Sequence, residues 1–121
     1  MPQALEGIRI LDLTRGPAGG IATMILADFG AEVLTIEPPD GDPLTELPAA
    51  PMWRRGKRRL PLDLTSPNDI DTLHNLCAAA DVLVCNWRSN SLVEKGLDWN
   101  SLHVRHKHLI FCHISGFGNR G

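Results

Sequence analysis

Apolar residues in this chain come in short β-branched bursts, each closed by a turn signal, with longer stretches of helical spacing between them. Residues 8–13, IRILDL, run straight into GPAGG at 16–20, which predicts a buried strand ending in a tight glycine-rich loop. Residues 21–29 are rich in Ala, Leu, Ile and Met, and Gly30 stands where a left-handed cap is wanted, so a first helix is expected there. EVLTI at 32–36 reads as a second strand, stopped by PPDGDP. Five prolines within 38–51 predict a long loop with no regular structure. After WRRGKRR and a brief PLDL, a second helix is signalled by Ser66 as cap, Pro67 at the first helical position and Asp69 two residues on. Its apolar positions Ile70, Leu73, Leu76, Cys77 and Ala80 fall on one face. DVLVCNW at 81–87 is a third strand, 91–96 and 99–106 are short helices, and HLIFCHI at 108–114 is a fourth strand entering SGFG.

Strand and helix therefore alternate, and parallel neighbours need crossover connections of this kind. The fold class expected is α/β, a Rossmann-like parallel sheet with helices on both faces. Ligands of such sheets bind beyond the carboxyl ends of the strands, here GPAGG, 37–39, 86–88 and SGFG.

Composition narrows this picture. With 121 residues, 43% hydrophobic and 21% charged, the chain supports one domain with a modest core. A formal net charge of −2 gives no global pull toward nucleic acid or an anionic membrane, so anion binding has to come from a local cluster. No apolar run approaches the roughly 20 residues of a membrane span, and the start lacks the order of a secretory signal, so a cytoplasmic protein is expected. Cys77, Cys85 and Cys112 form no CxxC and are expected to be small buried hydrophobes.

The densest chemical feature is Arg54, Arg55, Lys57, Arg58 and Arg59, five of twelve basic residues, beside Trp53 and broken by Gly56. Guanidinium forks suit phosphate oxygens, and Trp53 suits stacking on a base. A solvated basic turn or a nucleic-acid patch is the competing reading. GPAGG also invites comparison with dinucleotide folds, with Glu37 as the ribose acid. Glycines at 16, 19 and 20 do not make GxGxxG, however, and a turn that lets the helix pack closely fits better. His103, His106 and His108 lack partners with ligand spacing, so no metal is expected, and solvated or capping roles are assigned to the histidines.

Five segments together, LEGIRILDLTRGPAGG, LADFGAEVLTIEPPDGDP, RRGKRRLPLDLTSP, ADVLVCNWR and LIFCHISGFGNRG, resemble in order and spacing the amino-terminal part of class III (CaiB/BaiF) CoA-transferases. That family includes formyl-CoA and carnitine CoA-transferases and α-methylacyl-CoA racemase. The resemblance implies that residues 1–121 are the first part of a large Rossmann-like domain whose remainder is absent, and that full-length chains form homodimers. It implies coenzyme A as substrate, with Arg54, Arg55, Lys57 and Arg58 near its phosphates. Asn86, Trp87 and Arg88 line its site, and Gly16, Pro17 and Ala18 approach the thioester. Acyl-CoA and carboxylic acid substrates follow, with no nucleic acid and no membrane as partners. The sequence departs from the family at Pro38, where some members carry an arginine, and at Glu94, where a basic residue is common.

The resemblance further implies covalent chemistry on an aspartate, through an acyl-enzyme anhydride and an enzyme-CoA thioester. None of Asp12, Asp28, Asp63 or Asp81 matches that position, so no catalytic residue is assigned and the isolated segment is expected to be inactive. A racemase of the same family and a non-catalytic CoA or nucleotide module are the alternatives. A domain cut after its fourth strand is also expected to self-associate.

Overall fold

The computed structural model describes residues 3–116. Five strands, β1 (Arg9–Asp12), β2 (Glu32–Glu37), β3 (Lys57–Pro61), β4 (Val82–Cys85) and β5 (Ile110–His113), form one all-parallel sheet in the order β3-β2-β1-β4-β5. The chain winds outward from β1 to one edge and then returns across β1 to build the other half. The crevice at the carboxyl ends of β1 and β4 is thus the switch point of the sheet. The expected α/β architecture is present.

Alternation along the strands divides the core in two. Leu11, Ile36, Leu83 and Cys85 face one layer, where α3 (Pro67–Ala79) packs with Leu92, Leu97 and Leu102 from α4 (Ser89–Glu94), α5 (Trp99–Arg105) and their connection. Ile10, Val33 and Val84 face the other layer, with Leu26 and Ala27 of α1 (Pro17–Asp28).

Helix α1 begins earlier than its composition suggests. Pro17 takes the first helical position, so the supposed loop GPAGG is largely the first helical turn. At the other end Gly30 has φ 106°, its N–H bonds to Ala27 O at 3.0 Å, and Ala31 N–H bonds to Leu26 O at 3.1 Å. That is a Schellman closure, which turns the chain back into β2. Gly19 and Gly20 let α1 sit close to its neighbours. A Cβ on Gly19 would collide with the Thr14 side chain, and one on Gly20 with the Trp53 ring.

Several expectations need correction. The proline-rich stretch is not irregular, since it contains a 3-10 turn at Pro43–Glu46 and helix α2 (Ala50–Arg54). A fifth strand, β3, lies within the basic cluster, where four charges in five residues around Gly56 masked the strand signal. It is an edge strand, where exposed charge also blocks edge-to-edge pairing. Ser66 caps α3 without a side-chain bond, and Asp69 reaches back to the Asp63 N–H at 2.7 Å instead. Cys112 is exposed on the outer strand, whereas Cys77 and Cys85 are buried. Burial pushes both of those thiols up to about 11. The SGFG expectation lies partly outside the described residues, at positions 117 and 118.

His103, exposed in the last turn of α5, and exposed His108, which reaches the last turn of α3, fit solvated or capping roles, but the other histidines do not. His74 and His106 are both buried, with His74 Nδ1 3.2 Å from His106 Nε2 and the rings stacked, which fastens α5 to α3. His108 Nε2 donates to Cys77 O at 3.2 Å and His113 Nε2 to Trp87 O at 2.6 Å. Burial, then Arg105, depresses both His74 and His106, while Asp71 opposes the shift at His74.

An imidazole held below its ordinary 6.5 stays neutral in the fold while the unfolded chain takes up protons, so stability declines as pH drops below 6.5. The urea midpoint is expected to fall between about pH 7.5 and about pH 5.5, and His74→Leu should flatten that dependence. Separately, Gly19→Ala is expected to cost about 1–3 kcal/mol by overpacking, read from the same unfolding curves at neutral pH.

Candidate functional site

The carboxyl ends of β1 and β2 and the first half of β3 surround a cleft on the α1 side of the sheet. It is lined by Asp12, Thr14, Arg15, Gly16, Thr35 and Glu37 from the β1 and β2 region, with Asp42, Trp53, Arg54, Lys57 and Arg59 from the segments that follow. The cleft encloses about 30 Å³, room for about two waters or the oxygens of one small anion.

The cleft is built around a buried charge. The Asp12 carboxylate, at the end of the central strand, accepts from Thr14 N–H (2.8 Å), Thr14 Oγ1 (2.5 Å) and Thr23 Oγ1 of α1 (2.6 Å). Lys57 Nζ lies 3.5 Å from it and donates to Gly20 O at 2.9 Å. Both side chains are almost fully enclosed, at 4% exposure for Lys57 and 2% for Asp12. Burial pulls the Lys57 ammonium below its ordinary value, with Asp12 opposing. Nearby, Arg54 Nη2 pairs with Glu37 Oε1 at 3.1 Å.

Arg15 sits at the switch point itself. Its Nη1 donates to the carbonyls of Leu13 (3.2 Å), Thr14 (3.4 Å) and Ile36 (3.2 Å), and its guanidinium stacks over the Trp87 ring at 5.2 Å. Asn86 grips the Arg15 backbone from the far side of the switch, its Oδ1 accepting from Arg15 N–H at 2.9 Å and its Nδ2 donating to Arg15 O at 2.7 Å. The Trp87 N–H rests on Cys85 Sγ at 3.3 Å. Burial lowers the Arg15 pKa, and Asp42 is the strongest opposing charge.

The residues singled out in the sequence therefore separate. Gly16, Arg54 and Lys57 meet in the cleft, with Pro17 and Ala18 on the first turn of α1 beside it. Asn86, Trp87 and Arg88 follow β4 at the same end of the sheet, with Arg88 exposed. Arg55 leaves the group for Asp28 at the far end of α1, 2.7 Å away. Arg58 faces the opposite side, in a groove with Arg9, Glu32 and Leu76. Trp53 is not open for base stacking, because it is buried against Gly20. Arg15 went unnoticed in the sequence, although it stands between the end of β1 and the glycine-rich turn, where such sheets bind ligands.

Each aspartate considered for chemistry is already engaged. Asp12 is enclosed, Asp28 pairs with Arg55, Asp63 accepts from Thr65, and Asp81 accepts from Arg9 N–H. Among the described residues no group of three or more His, Cys, Asp or Glu converges as a metal site, and no helix is long and apolar enough to cross a membrane.

Architecture and cleft define a parallel α/β domain with a charged crevice over β1, β2 and β3, next to the switch point of its sheet. Residues 5–121 match the family model described as CoA-transferase family III, and the chain belongs to that family. It is 35% identical to a succinate–glutarate CoA-transferase of Agrobacterium fabrum, over 97% of this chain and 33% of that protein. It is 34% identical to a cinnamoyl-CoA:phenyllactate CoA-transferase of Clostridium sporogenes, over 96% of this chain and 31% of that protein. A solved CaiB/BaiF family protein from Brucella suis superposes with a TM-score of 0.90 at 31% identity, covering all of this chain and 35% of that one. The chain thus spans about a third of the length of the relatives it matches.

Removing the Lys57 ammonium leaves Asp12 as an unpaired buried charge. Lys57→Met is therefore expected to cost about 3–5 kcal/mol in equilibrium urea unfolding, a far larger loss than Arg55→Met at its exposed pair.

Proposed function

We propose that this chain is the coenzyme A-recognising part of an enzyme that transfers CoA between carboxylic acids. The observation that carries the proposal is the cleft beside the switch point. It gathers four cations, Arg15, Arg54, Lys57 and Arg59, against three carboxylates in a protein whose net charge is negative. Two of the carboxylates are already taken, Asp12 by Lys57 and Glu37 by Arg54, so the surplus is positive. A pyrophosphate and a 3′-phosphate suit such a surface, and exposed Arg88 at the same end extends it.

In this reading Gly16, Pro17 and Ala18 flank the thioester, Arg54 and Lys57 shape the phosphate side, and Asn86, Trp87 and Arg88 line the opposite wall. Arg55 and Arg58 belong to the same basic run but contribute only long-range field from where they sit. The nucleophile is a carboxylate outside the described residues. It attacks the acyl-CoA carbonyl and expels CoA thiolate to leave an anhydride. The thiolate then attacks that anhydride at the enzyme carbonyl to form an enzyme thioester, releasing the carboxylate product. Finally the acceptor carboxylate attacks the enzyme thioester, and the re-formed thiolate attacks the acceptor carbonyl of the new anhydride and regenerates the enzyme carboxylate. The transferase names of its relatives favour this chemistry over racemisation. Residues 1–121 are then the first part of a larger domain, and the whole protein is a cytoplasmic homodimer. Exposed Val93, Val104 and Ile110 support assembly with further polypeptide.

Isothermal titration of the 121-residue chain with CoA is expected to show salt-sensitive micromolar binding, weakened several-fold in Arg54→Ala. Indifference to CoA alongside binding to DNA would reverse the reading.

A further inference from the structure

Within the cleft, Arg54 and Lys57 each have a carboxylate partner, whereas Arg15 and the exposed Arg59 form no ion pair among the described residues. Arg15 is nonetheless half-buried, with carboxylates acting on it only at longer range, and burial of a cation without a direct ion pair is unfavourable. Three backbone carbonyls compensate in part, all through Nη1. Its Nε and Nη2 have no acceptor among the described residues. Because no described buried side-chain nitrogen or oxygen lacks a partner, these donors meet the solvent of the cleft. Asp42, the remaining carboxylate of the lining, spends Oδ1 on the Leu44 N–H.

The guanidinium is also immobilised before any ligand arrives. Asn86 clamps its backbone on both sides, its Cζ lies over the Trp87 ring, and the carbonyls restrain its rotation. A planar fork with two donors left over matches the geometry of a carboxylate or phosphate edge. The cleft that it lines encloses about 30 Å³, room for one such group.

We propose that Arg15 is the oxyanion receptor of this cleft, a preorganised guanidinium that takes one anionic group of the ligand. The proposal rests on the reading of the cleft as a CoA site. Two sources share the chemistry, a phosphate of CoA itself and the distal carboxylate of a dicarboxylic acyl group such as succinyl.

The test measures affinities of wild type, Arg15→Gln and Arg15→Lys for CoA, acetyl-CoA, succinyl-CoA, inorganic pyrophosphate and succinate. Circular dichroism and thermal melting report whether the variants are folded. A loss of about tenfold for Arg15→Gln toward all three CoA compounds and pyrophosphate identifies a phosphate as the group held. A similar loss confined to succinyl-CoA and succinate identifies the acyl carboxylate. In both cases Arg15→Lys, which keeps charge without the fork, recovers only part of the affinity. Unchanged affinities in a folded Arg15→Gln overturn the proposal. Wild type that binds no CoA compound defeats the coenzyme reading instead. Pyrophosphate or succinate binding lost in Arg15→Gln would then still uphold the receptor, and no binding of either would sink it.

Should Arg15→Gln fail to fold, phenylglyoxal labelling of the wild type, mapped by peptide mass spectrometry, takes its place. Protection of Arg15 by pyrophosphate or succinate supports the proposal, and equal labelling with and without them refutes it.

Discussion

A carboxylate buried at the end of the central strand organises this half of the molecule. Asp12 is almost fully enclosed, and a charge so placed is tolerated when its lone pairs are met and a cation stands near. The partners come from three separate places: Thr14 in the loop after β1, Thr23 in α1, and Lys57 at the start of β3. Satisfying one carboxylate therefore sets the seat of the first helix, the position of the edge strand and the path of the loop between them. The close approach of α1 at Gly19 and Gly20 serves the same contact, since a bulkier residue would lift Thr23 and Gly20 O away from their partners.

The site inherits its rigidity from that arrangement. With the loop after Asp12 held in place, Arg15 emerges at the switch point of the sheet and meets Asn86 and Trp87 from the other half of the winding. Two halves of a doubly wound sheet are thus joined by a side-chain amide that pairs with a backbone as another strand would. His113 steadies the same wall through the Trp87 carbonyl, so β5 supports the crevice without entering it.

Strand geometry also explains how a basic run is distributed. Successive side chains of β3 point to opposite faces, so neighbouring charges that look like one patch in the sequence are sent to different surfaces. Lys57 enters the core beside Asp12, Arg58 faces the groove behind the sheet, and Arg59 lines the cleft. Arg55, ahead of the strand, goes to the far end of α1. Local charge density in a sequence overstates the charge any single ligand meets.

What the sequence determined by itself was whatever depends on neighbours along the chain. Hydropathy period marked four of the five strands and the long helices, Gly30 marked the end of α1, and Pro67 marked the start of α3. Five ordered segments were enough to recognise the family. Tertiary structure decided the rest, because the deciding partners are distant: Lys57 and Asp12 are 45 positions apart, and Asn86 and Arg15 are 71. Strand β3 is a strand because β2 offers it an edge, His74 and His106 are buried because α5 folds onto α3, and Arg15 becomes a site residue because two chain halves close around it. None of these carries a local signal, since the free energy that fixes each is shared between residues that only the fold brings together.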